Sequence, residues 1–140
     1  FVATLEDLLT RNKSGKAALT VRTGGVLPPQ RIFAYEDDWV AAITDTGRLL
    51  IFALAELPQL NRGKGVKLIN IPAARHKAGD EKLQSVAVFR EGDSLRLFAG
   101  KQHMRLKPKD IDTFVGSRAQ RGRALPRGYK RATAVETILA

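Results

Sequence analysis

A segment built on Leu-x-acid-Leu returns along the chain, and internal repetition at a period near fifty residues restricts the fold more than any other feature. One copy reads Phe1-Val2-Ala3-Thr4-Leu5-Glu6-Asp7-Leu8, then Arg11-Asn12-Lys13-Ser14-Gly15-Lys16. A second reads Leu50-Ile51-Phe52-Ala53-Leu54-Ala55-Glu56-Leu57, then Asn61-Arg62-Gly63-Lys64-Gly65, with Leu5 and Leu54 aligned at a shift of 49. A third runs from Met104 through Leu106-Lys107-Pro108-Lys109-Asp110-Ile111 to Arg121-Gly122-Arg123, and its Gly100-Lys101 turn matches Gly47-Arg48 at a shift of 53. Units of this size are small sheets that cannot bury both faces alone and need their neighbours.

Local patterning agrees with strands. Leu49–Leu54, Val66–Ile71, Leu83–Phe89 and Leu95–Phe98 are short, rich in branched and aromatic residues, and bounded by Gly, Asp, Asn or Pro. In Val66–Ile71 apolar residues largely alternate with polar ones, as in a half-buried strand. Asp45-Thr46-Gly47 and Glu91-Gly92-Asp93-Ser94 are hairpin turns. Helix is confined to single turns within 55–60 and 108–114, limited by Pro58 and Pro108, and 136–139 is a terminal strand or frays. Trp39 is expected to anchor a core. The expected fold is all-β, a propeller-like array of repeated blades with one partial and two fuller blades, in approximate units 1–31, 32–85 and 86–140.

Charge supplies the functional clue. The 140 residues carry 24 Lys and Arg against 14 Asp and Glu, a net of +10, and the expected partner is a polyanion. Residues 1–100 hold 14 basic and 11 acidic side chains, whereas 101–140 hold 10 and 3. The excess is therefore heaviest in the last copy. Each copy follows its acidic turn with Lys or Arg joined to Gly. The candidates for DNA contact are Arg11, Lys13 and Lys16 in the first copy, Arg62, Lys64 and Lys67 in the second, and Lys101, Arg118, Arg121, Arg123, Arg127, Lys130 and Arg131 in the third. Glycine lets the backbone approach a phosphate while flanking cations neutralise it. Loops at equivalent points on successive units make a track, and a track suits the recurring phosphates of duplex DNA. A basic surface that only confers solubility, or that docks on anionic lipid or an acidic protein, is the competing interpretation.

Catalytic and metal chemistry find no constellation in the sequence. Ser14-Gly15-Lys16-Ala17 ends like a phosphate-binding loop, but Thr10 stands where Gly is required and Ala17 where Ser or Thr is required. His76 and His103 are far apart with no local carboxylate at ligand spacing, so neither a metal pair nor a general base is expected. Glu36-Asp37-Asp38 reads as a solvated acidic turn, and Tyr129 has basic neighbours but no base to activate it. There is no Cys, hence no disulfide. No stretch approaches the ~18 apolar residues of a membrane span, and Phe1–Glu6 does not read as a signal peptide. The chain lacks an initiator Met and is expected to be a piece of something longer.

The chain resembles the C-terminal domain of the A subunit of bacterial DNA topoisomerase IV, the paralogue of gyrase A, over nearly all its residues. The resemblance is carried by Ala42-Ile43-Thr44-Asp45-Thr46-Gly47-Arg48-Leu49-Leu50-Ile51-Phe52, by Glu56-Leu57-Pro58-Gln59-Leu60, and by Arg62-Gly63-Lys64-Gly65-Val66-Lys67-Leu68-Ile69-Asn70-Ile71-Pro72. Gly100-Lys101, Leu106-Lys107-Pro108 and Arg121-Gly122-Arg123-Ala124-Leu125-Pro126-Arg127-Gly128 extend it. It implies a β-pinwheel with positive charge on its outer rim, which binds and bends the transported duplex for relaxation and decatenation. It also implies a parent protein that dimerises and joins the B subunit in an A2B2 complex in the bacterial cytoplasm, associated with the nucleoid. Peripheral association with the inner membrane surface is left open. The strand-cleaving tyrosine and the magnesium site belong to another region of the parent protein, and ATP is hydrolysed on the B subunit. No cofactor is expected in this chain. The gyrase wrapping box, Q-R-R-G-G-K-G, survives only as a tail in Leu60-Asn61-Arg62-Gly63-Lys64-Gly65. Gyrase A with a degenerate box, or a basic propeller-like module that binds protein, are the alternatives.

Overall fold

A computed structural model describes residues 1–6, 17, 19 and 25–140. They fall into two compact units, one from Phe1–Pro28 with Leu57–Val66, the other from Pro29–Glu56 with Lys67–Ala140. Candidates Arg11, Lys13 and Lys16 lie outside the described residues.

The larger unit carries seven strands: β1 (Trp39–Thr44), β2 (Arg48–Ala53), β3 (Leu83–Phe89), β4 (Ser94–Ala99), β5 (Gln102–Leu106), β6 (Arg123–Ala124) and β7 (Ala134–Ile138). They form a four-stranded sheet in the order β3-β1-β2-β6 and a three-stranded sheet in the order β5-β4-β7. Every pairing between these strands is antiparallel. The two sheets share one construction. A hairpin, β1-β2 or β4-β5, is followed by a long excursion, and the chain then returns as a strand beside the hairpin's first member. Thus β3 pairs with β1 from Trp39↔Phe89 to Thr44↔Leu83, and β7 pairs with β4 from Ser94↔Ile138 to Phe98↔Ala134. The second excursion also supplies β6, which extends the first sheet at Arg48↔Ala124 and Leu49↔Arg123.

Sequence explains why the hairpins differ. WVAAIT and RLLIFA are nearly continuous apolar runs, and Val40–Thr44 and Leu49–Phe52 are buried on both faces. β4 alternates instead, with Leu95 and Leu97 buried and Arg96 exposed, so one face meets the core and the other meets water. Ala41, Ile43, Leu49, Ile51, Ala87 and Phe89 from the first sheet join Leu95, Leu97, Leu106 and Val135 from the second in one cluster, against which Trp39 packs. Burying each Val, Leu, Ile or Phe of this cluster contributes about 1.5–3 kcal/mol.

Each hairpin is introduced by a buried aspartate. Asp38 Oδ2 accepts hydrogen bonds from the Phe33 and Ala34 amides at 2.7 and 3.0 Å. Asp93 accepts from the Arg90 amide through Oδ2 and from the Ala140 amide through Oδ1, both at 2.9 Å. Asp38 is therefore a structural residue, and the solvated acidic turn read from 36–38 ends one residue short of it.

The repeat is visible in contacts as well as sequence. In the smaller unit Val2 forms a parallel bridge with Gln59, and the Leu60 amide donates to the Val2 carbonyl at 2.7 Å. In the larger unit Ile51 forms a parallel bridge with Val115, and the Gly116 amide donates to the Ile51 carbonyl at 2.8 Å. Val2 and Ile51 are matched residues of successive copies, so in the second and third copies the segment after the acidic turn grips the strand of the preceding copy.

Two local expectations need correction. Val66–Ile71 is not a strand. Its backbone bonds to another loop, with the Asn70 amide donating to the Gln120 carbonyl and the Ala119 amide to the Leu68 carbonyl, both at 2.8 Å. The alternation reflects a loop that buries Ile69 alone. A short helix α1 (Ala73–Lys77) was not anticipated, because all five residues are exposed and give no apolar period. The other helical turns, a 3-10 turn at Leu54–Glu56 and α2 (Pro108–Ile111) continuing as a 3-10 turn through Phe114, fall close to where the prolines allow them.

Candidate nucleic-acid interface

The basic loops separate into groups with different tasks. In the smaller unit Arg62 and Lys64 are exposed on either side of Gly63. In the larger unit Lys67 is exposed, as is Lys101 at the β4-β5 turn. Arg123 is exposed on β6, and Arg127, Lys130 and Arg131 are exposed along the connection to β7.

Arg121 is placed differently. Its Nη2 lies 2.6 Å from Glu81 Oε2, and the Arg75 Nε reaches the same oxygen at 3.1 Å. The Glu81 side chain has no exposed area. Burial alone would raise its pKa, but hydrogen bonds from Arg121, the nearby hydroxyls of Thr46 and Thr44, and the Arg121 charge outweigh burial and lower it to about 2. Among the described residues these are the ion pairs that form. Arg118 is also partly committed: its Nη1 donates to the Lys67 carbonyl at 2.7 Å and its amide to Glu56 Oε1 at 3.0 Å.

The glycine of the third loop serves the same contact. Gly122 has φ +76°, and a Cβ there would meet the Leu49 carbonyl oxygen at 2.7 Å. The close approach that glycine permits is to β2 of the preceding copy, where Arg48 Nη1 also bonds the Gly122 carbonyl at 3.2 Å. Gly47, with φ +80°, answers from the other side, since its Cβ would fall 2.7 Å from the Lys130 Cα. Gly122 and Gly47 thus bring successive repeats together, and of the two cations beside Gly122 only Arg123 is presented to solvent, Arg121 being held by Glu81.

Sequence reasoning passed over one basic surface. On the open face of the second sheet Arg96 stands directly opposite Arg105, and Phe98 opposite His103, with ring centroids 6.1 Å apart. Both arginines are exposed. Arg105 Nη2 bonds Ser94 Oγ at 3.3 Å, and Glu136 is opposite Arg96 on the other side without an ion pair between them. Like charges directly across a strand pair are destabilising by themselves. The signal was the alternation Leu95-Arg96-Leu97 against Met104-Arg105-Leu106, which assigns both arginines to one face.

Among the described residues no group of three or more His, Cys, Asp or Glu is placed to hold a metal. His76 on α1 and His103 on β5 are exposed and belong to separate elements. No helix among the described residues is long and apolar enough to cross a membrane.

Hairpins completed by a returning strand, and an edge sealed by the following copy, define a β-pinwheel of strand-exchanging blades, and solved structures agree. The E. coli ParC C-terminal domain superposes with a TM-score of 0.77 at 33% identity, covering 99% of this chain and 56% of that one. A crystal structure of the C-terminal domain of DNA topoisomerase IV, at 16% identity and a TM-score of 0.71 over 96% of this chain and 42% of that one, supports the fold. No protein-family model matches the chain. Among curated proteins, the A subunit of DNA topoisomerase 4 from Pseudomonas aeruginosa is 45% identical over 132 residues, 94% of this chain and 18% of that protein. Its counterpart from Escherichia coli (strain K12) is 38% identical over 136 residues, 97% of this chain and 18% of that protein. The chain belongs to the family of C-terminal domains of the topoisomerase IV A subunit. It spans less than a fifth of the length of these curated relatives.

Proposed function

We propose that the chain binds duplex DNA and bends it, as a non-catalytic part of a topoisomerase IV that positions the transported duplex for relaxation and decatenation. The observation that carries this reading is the set of exposed cations that form no ion pair among the described residues, from Lys67, Lys101, Arg123 and Arg127 to the opposed Arg96 and Arg105. A polyanion satisfies such a surface and relieves the Arg96–Arg105 repulsion. Lys130 and Arg131 add to it within the larger unit, while Arg62 and Lys64 of the smaller unit, and Arg11, Lys13 and Lys16, are DNA-contact candidates on the sequence pattern. Arg121 and much of Arg118 serve the fold. In this reading the parent protein works in an A2B2 assembly in the bacterial cytoplasm. Its cleaving tyrosine, Mg2+ and ATP hydrolysis belong to regions outside this chain.

The test is binding of a duplex of ~40 bp across a salt series, because six or more phosphate contacts imply a loss of about 10³-fold or more in affinity between 50 and 200 mM salt. A flat response, or no binding at low salt, overturns the reading. Neutralising Arg62, Lys64 and Lys67 together should weaken binding and leave the unfolding temperature close to that of the parent chain.

A further inference from the structure

Phe33 is a large apolar side chain left 54% exposed, and it is not bare. The guanidinium carbons of Arg31 and Arg90 lie 5.4 and 4.6 Å from its ring centroid. Both arginines are exposed, and neither has an ion pair among the described residues. They are remote in sequence. The pairing of Trp39 with Phe89 brings the end of β3, and Arg90 just after it, beside the segment that leads into β1.

Two cations sharing one ring repel each other, and cation–π attraction at an exposed site is worth only about 0.5–1 kcal/mol per cation. The arrangement is held from beneath. The Phe33 amide is bonded to the buried Asp38 and the Arg90 amide to the buried Asp93, so the backbones that carry the ring and one arginine are fixed by separate buried carboxylates. The outcome is two solvent-exposed guanidinium groups against one ring, with the backbones of Phe33 and Arg90 fixed beneath them. Guanidinium groups recognise phosphate oxygens through their planar fork of donors, and restraint in advance lowers the entropy lost on binding.

We propose that Arg31 and Arg90, aligned by Phe33, form a clamp for a backbone phosphate of duplex DNA, made of residues that belong to none of the glycine-bearing basic loops. The clamp rests on the duplex-binding reading above. It engages one phosphate, and Phe33 is a positioning residue.

The experiment measures duplex affinity of the full chain across a salt series, beside thermal unfolding, for the parent sequence, the double variant Arg31→Gln/Arg90→Gln, and Phe33→Leu. The double variant should lower the salt slope by about one unit, the value of one phosphate contact, with its unfolding temperature unchanged. Phe33→Leu keeps both charges and should keep the slope while weakening binding several-fold. A steep slope in the parent that is unchanged in the double variant overturns the clamp and leaves duplex binding intact. No salt-dependent binding by the parent overturns both. If the double variant loses binding to phosphatidylglycerol vesicles but not to duplex, the cluster serves a lipid surface and the clamp is wrong.

Discussion

Glu81 shows at the scale of one residue how a basic sequence can hide a structural cation. It is fully buried and bound by Arg121 and Arg75, and removing one partner from a buried pair costs about 3–5 kcal/mol, with the exposed Arg75 keeping this case at the lower end. Glu81→Gln should therefore lower the unfolding temperature clearly, by calorimetry or circular dichroism. The carboxyl's pKa is depressed from 4.5 to about 2. Its stabilisation is present in full above about pH 4.5 and is lost as pH falls toward 2, because the unfolded state takes up the proton first. Unfolding measured from pH 5 to 2 should fall less steeply in Glu81→Gln than in the parent chain. Arg121→Gln should lose stability, whereas Arg123→Gln on the exposed β6 should lose duplex affinity and keep its stability. Gly122→Ala should destabilise by more than about 2 kcal/mol, since its φ is left-handed and its Cβ would strike the Leu49 carbonyl. The exposure of Lys101, Arg123 and Arg127 was legible from their place in turns and loops. The fate of Arg121 was not, because its partner is 40 residues away and both side chains read as solvated charges.

Three of the four expected strands were legible from composition and turn chemistry, while β1 and β5 were implied only by the hairpin turn or not at all. β2, β3 and β4 match the expected segments to within a residue or two, and the Asp45-Thr46-Gly47 turn joins β1 to β2 as expected. Val66–Ile71 has the same alternation without a partner strand, since its amide and carbonyl groups are taken by the loop around Gln120. Pairing across distant segments decided that case, and no local pattern encodes it. Pairing also sets Arg96 against Arg105, and from that follows an outcome at the scale of the sheet. Replacing both by Gln should reduce the salt slope of duplex binding by about one to two units. The same variant should unfold at an equal or slightly higher temperature, because a cross-strand repulsion is removed. A drop in unfolding temperature would show instead that the two side chains hold the sheet.

The repeat is what the sequence disclosed best about the whole molecule, since it led to an all-β array before any contact was known. What it did not disclose is how the copies are joined. Sheet membership does not follow contiguous blocks: β3 spans the expected division after residue 85, and β6 belongs to the third copy by sequence but to the first sheet by pairing. That borrowing sets a timetable for synthesis. β2 ends at Ala53 and β6 begins at Arg123, so the strand that seals its edge leaves the ribosome about seventy residues later, roughly 4–14 s at about 5–20 residues per second. Throughout that interval the Leu49 edge of a largely apolar hairpin is open to neighbouring nascent chains. A newborn molecule is therefore most exposed to misassembly while its third copy is being made, and slowing translation over residues 54–123 should favour aggregation more than slowing it after Ala124.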